Sequence, residues 1–247
     1  MKKTFLIIIY FVFISNISAQ EVVNIVYVDS SNKITEDIKQ MRAFILIKKL
    51  PGRSFERLNY KLHAPLQSVQ TYSDSTLSVL EGRNLVYGSD GNLVQLGYYS
   101  NNKKEKSWYY YNDTFKVIRE DIYKDGELVQ SIDPDTVKKN KDTTKYADEK
   151  EAVYKGGERA WRKYLTNKLD PNVSINSVAG GKVLVAFMIN KNGEGVDFFL
   201  RKSVEYVLDE EALRVLYHMP NWEPAFQNGK NVNAYRVQPI TFVISGN

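Results

Sequence analysis

The rhythm of apolar and polar positions changes three times along the chain. The first stretch is almost wholly apolar: "FLIIIYFVFI", Phe5 to Ile14, preceded by Lys2 and Lys3 and followed by "SNISAQ". A basic start, a short apolar run and small residues describe a secretory signal, since a spanning helix needs roughly 20 apolar residues. Residues 1–19 are therefore expected to be a signal peptide, cut after Ala19. Left uncut, the same run would tie the chain to a membrane, the one membrane contact expected.

From 20 to 130 the period is two. "EVVNIVYVD" is a short β-branched run closed by "SSNK", and "MRAFILIKKL" fits a strand or a helix, ended by "PG". Tyrosine-rich alternating segments then run between turn dipeptides. Asp90-Gly91 and Asp125-Gly126 supply the positive φ that hairpin turns need, and Asn101-Asn102 tolerates it. This pattern predicts a β-meander of strands paired to their neighbours. The segment 131–150, within "SIDPDTVKKNKDTTKYADEKE", has too few apolar side chains to bury itself and reads as a charged linker.

Beyond it, over 151–247, helical spacing alternates with strands. "GGERAWRKYLTNKL" sets Ala160, Trp161, Tyr164, Leu165, Lys168 and Leu169 on one helical face, and Pro171 stops it. Strands are predicted at Lys182–Ile189 and Val196–Arg201 around Asn192-Gly193. In "LDEEALRVLYHMP" the residues Leu208, Ala212, Leu213, Leu216 and Met219 recur at helical spacing. Asp209 is the expected N-cap, with Glu210 and Glu211 in the first turn and Pro220 at the end. The last strand is expected over Val232–Ile244, where Pro239 implies an edge or a bulge. The fold class that follows is α+β. An N-terminal antiparallel β-meander precedes a three-stranded antiparallel sheet with two helices on one face.

Charge and composition narrow the chemistry. The net charge of +5 is too mild and too dispersed for a nucleic-acid protein. Cysteine is absent, which removes disulfides, thiolate metal sites and cysteine nucleophiles. The two histidines, His63 and His218, show no metal-ligand spacing. His218 with Glu210 or Glu211 is the one candidate acid/base set, yet no nucleophile motif stands beside it, and helix initiation already accounts for the acids. Gly156-Gly157 precedes a helix without the Lys-Ser/Thr of a phosphate loop. A binding protein with no catalytic residues, cofactor or metal is the expectation.

Two resemblances sharpen it. "DGNLVQLGYYSNNKKEKSWYYYN" and "YKDGELV", within Glu81–Val129, resemble the MORN-type repeat, although Asn102 and Lys106 stand where that repeat prefers glycine. The repeat implies a twisted antiparallel sheet used in association or spacing. From Val153 to Ile244 the chain resembles the C-terminal domain of the energy transducer TonB. The resemblance rests on "YKGGERAWRKYL", "GKVLVAFMINKNGEG", "SVEYVLDEEALRVLYHMPNWEPAFQNGKNV" and "YRVQPITFVI". It implies a periplasmic protein of the Gram-negative envelope acting in TonB-dependent transport. The final strand would receive the N-terminal segment of an outer-membrane transporter by strand addition. Asn233, Tyr235, Arg236, Val237 and Gln238 are then the candidate partner-binding residues. The alternative is an envelope scaffold or spacer that works through the repeat region, with a homodimer as one form of self-association.

Overall fold

The computed structural model describes residues 21–136 and 149–243. The expected signal segment 1–19 and most of the expected linker, 137–148, lie outside them.

Nine antiparallel strands follow one another in sequence order as a single meander. They are β1 (Glu21–Val28), β2 (Ala43–Lys49), β3 (Phe55–Lys61), β4 (Leu66–Tyr72), β5 (Leu80–Tyr87), β6 (Leu93–Ser100), β7 (Lys103–Tyr111), β8 (Val117–Lys124) and β9 (Glu127–Ile132). The segment "MRAFILIKKL", open between two readings, is a strand, with Leu46 and Lys48 on its buried face. Two-residue turns at Asn101-Asn102 and Asp125-Gly126 have positive φ at both positions, the geometry whose twist matches that of the flanking strands. Lys106 also has positive φ (60°), beside a register shift between β6 and β7. At both Asn102 and Lys106, the backbone thus adopts a conformation that glycine enters without cost. Gly97 is needed for space: a Cβ there would lie 2.1 Å from the Trp108 indole.

The C-terminal part holds α1 (Gly157–Lys168), a 3₁₀ turn (Val173–Asn176), β10 (Gly181–Ile189), β11 (Gly195–Lys202), α2 (Tyr206–Tyr217), a short hairpin of β12 (Ala225–Gln227) and β13 (Lys230–Val232), and β14 (Ala234–Phe242). The sheet order is β11-β10-β14, all antiparallel. Val183, Val185, Phe187 and Ile189 alternate onto the helix side of β10 and are essentially inaccessible. Trp161 and Leu165 of α1, and Leu208, Ala212 and Leu216 of α2, are buried within the same core.

Two expectations need correction here. The last strand is shorter than Val232–Ile244, because Val232 pairs with Ala225 in the β12–β13 hairpin and Asn233 breaks the run. Helix α2 begins three residues before Asp209, at Tyr206, with Glu205 at its boundary and no side-chain cap. Asp209 is fully buried inside the helix, so it is not the N-cap. The charged cluster marked where acids were, whereas Tyr206 and Val207 form the opening turn.

One hydrophobic cluster joins both regions. Leu46, Leu58, Tyr60, Leu66, Leu85 and Leu93 of the meander share it with Phe198, Leu200, Leu208 and Leu213. Polar contacts cross the same boundary: Lys48 pairs with Glu210, Arg83 with Asp197 (2.7 Å), and Tyr87 Oη donates to the Leu200 carbonyl (2.7 Å).

Candidate partner-docking edge

Strand β14 has β10 on one side and, among the described residues, no strand on the other. Its pairing runs without a bulge from Phe242 opposite Gly181 to Ala234 opposite Ile189, and Pro239 sits within that ladder. An edge strand is where a missing N–H costs least. Even-numbered side chains point to the helices, and Ile240 and Phe242 are buried there. Odd-numbered ones point away, leaving Tyr235 69% and Val237 41% exposed.

The five candidate residues therefore divide. Asn233 lies in the one-residue link before the strand. Arg236 and Gln238 are engaged by the chain's own elements. Arg236 pairs with Glu151 (2.6 Å) and donates to the Ala152 carbonyl (2.7 Å), and Gln238 Oε1 accepts from Trp161 Nε1 (2.7 Å). Tyr235 and Val237 are the two whose apolar surface is open. The sequence pattern missed what faces them, the tyrosines of β6 and β7. Their period-two spacing was visible, but not the layer they would meet.

A three-stranded antiparallel sheet in order β11-β10-β14, packed on a helix that follows its first hairpin and edged by the last strand, is the arrangement expected from the resemblance. Residues 171–244 match the family model for the Gram-negative bacterial TonB protein C-terminal. The matched range starts just after α1 and ends at β14, so the meander and α1 lie outside it. Comparisons with curated proteins and with solved structures returned no match. The match likens this part of the chain, under a third of its length, to the C-terminal part of a Gram-negative bacterial TonB protein. No helix among the described residues is long and apolar enough to cross a membrane.

The candidate acid/base set of the TonB-like part is dispersed. His218 is exposed at the end of α2, its Nδ1 2.7 Å from the Arg214 carbonyl. Glu210 and Glu211 lie eight and seven residues earlier, roughly 10–12 Å along a helix axis. Glu210 serves Lys48. Glu211 pairs with Arg214 (2.7 Å) and accepts from the Asp170 N–H (2.7 Å). Asp209, beside them, is wholly inaccessible. It accepts from Ser203 Oγ, from Tyr60 Oη (3.1 Å) and from the Val204 N–H (3.0 Å), while Ser203 Oγ accepts from the Leu66 N–H (2.8 Å). Burial pushes its carboxyl up to about 7, against the lowering pull of those donors. Asp209 thus ties α2 to β3 and to the start of β4, in a place closed to substrate.

Proposed function

We propose that the chain is a TonB-like envelope protein whose C-terminal sheet binds an extended segment of a protein partner by strand addition at β14. The N-terminal segment of a TonB-dependent outer-membrane transporter is the partner of this reading. The observation that carries it is the edge of β14, unpaired among the described residues, with Tyr235 and Val237 exposed on the face away from the helices. Unpaired main-chain groups would supply affinity, and alternate side chains would supply selectivity. Export through the 1–19 segment would bring the protein to the periplasm.

Hydrogen exchange on the full chain tests this, with a synthetic peptide copying such a transporter segment. Amides within Ala234–Phe242 should slow on peptide addition. The double variant Tyr235→Asp with Val237→Asp, both on exposed positions, should keep its circular dichroism and weaken binding about tenfold or more. Binding that leaves the β14 amides unprotected would overturn the reading.

A further inference from the structure

A cleft of about 590 Å³ separates the meander from the outer face of the C-terminal sheet. Its floor carries Ala186, Tyr235 and Val237, and its wall carries Tyr98, Tyr109 and Tyr111. Four further charged groups reach it, and two are already satisfied. Asp197, held at positive φ (57°), is turned onto Arg83, and Arg236 is paired with Glu151. Lys106 and Arg201 form no ion pair among the described residues. Arg201 is fixed all the same: its guanidinium lies 4.9 Å from the Phe115 ring centre and donates to the Phe115 carbonyl (2.8 Å). Lys106 Nζ lies 5.5 Å from the Tyr98 ring centre. Burial raises the Tyr98 and Tyr111 hydroxyls above their ordinary value, so they add no negative charge near neutrality. The cleft therefore presents two uncompensated cations within an aromatic wall.

The cleft is continuous with the β14 edge, since Tyr235 and Val237 belong to both. A strand added to β14 sends alternate side chains to the cleft side. We propose that the meander is the second wall of the peptide site, and that Lys106 and Arg201 select an extended peptide with an acidic side chain on that side, flanked by apolar ones that pack on the tyrosines. This selection rests on the strand-addition reading. It gives the nine-stranded meander a part in recognition that a bare TonB C-terminal segment would lack.

The probes are short threonine–valine peptides that differ only at one central position: glutamate, glutamine or lysine. Anisotropy gives affinity to the full chain, and hydrogen exchange reports β14 protection. The glutamate peptide should bind about tenfold tighter than the lysine peptide, with the gap shrinking as salt rises. In Lys106→Gln with Arg201→Gln the gap should close while the glutamine peptide still binds, and Lys106→Arg with Arg201→Lys should restore it. Equal binding of the three peptides with β14 protected would overturn the selection alone. A preference that survives loss of both cations would overturn it too. Failure of every peptide to protect β14 would sink both the selection and the strand addition beneath it.

Discussion

Asp209 concentrates the electrostatics of the molecule at one atom pair. Its Oδ2 accepts from Tyr60 and Ser203, both buried, and its Oδ1 from the part-buried Val204 N–H. Other groups facing it are Glu210, which also raises it, and Lys48, which holds Glu210. A folded-state value near 7 against an ordinary 3.8 means the native state holds a proton that the unfolded state has released. The contribution to stability is therefore fully present below about pH 4 and is lost as pH rises through about 7. Urea midpoints measured from pH 4 to 8 should fall more steeply in the native protein than in Asp209→Asn. The difference accumulated over that range should be on the order of a few kcal/mol. Parallel curves would show that this carboxyl does not carry the effect.

At the scale of elements, packing and turn geometry make different demands. Leu216 is inaccessible in α2, and Leu216→Ala should cost about 2–5 kcal/mol in a urea titration. Gly97→Ala would drive a methyl into the Trp108 ring within the β6–β7 pair and should cost about 1–3 kcal/mol. Gly91 combines both constraints. Its φ is +78°, a Cβ would meet the Ser203 carbonyl at 2.1 Å, and its own carbonyl accepts from the Ser203 N–H (2.9 Å). Asp90-Gly91 was legible as a turn because only chemistry local to the chain was needed to see it. That the same turn anchors the end of β11 was not legible, because Ser203 is remote in sequence.

For the whole molecule, the question is whether the meander and the C-terminal sheet act as one body. Their apolar side chains form one cluster, and Lys48–Glu210, Arg83–Asp197 and Tyr60–Asp209 cross it. Calorimetry of the full chain should show a single unfolding transition, and a chain beginning at Glu149 should unfold at lower urea than the full chain. Two separate transitions, with the shortened chain as stable as the second, would mean independent units.

The sequence by itself determined the elements and the class of fold: the period-two tyrosine strands, the glycine and asparagine turns, the two amphipathic helices and the α+β arrangement. These are set by neighbours within a few residues, where alternation and turn chemistry act. Through Pro239 it also narrowed β14 to an edge or a bulge, and the ladder shows the edge. What only the tertiary structure decided was which candidate side chains stay free on that edge and what lies opposite them. Arg236 and Gln238 are taken by Glu151 and Trp161, Asp209 is buried under β3, and the meander brings Lys106 and the tyrosines over the sheet. Those outcomes depend on groups tens to more than a hundred residues apart meeting across a shared core. Burial and charge pairing at such separations leave no periodic trace in the chain.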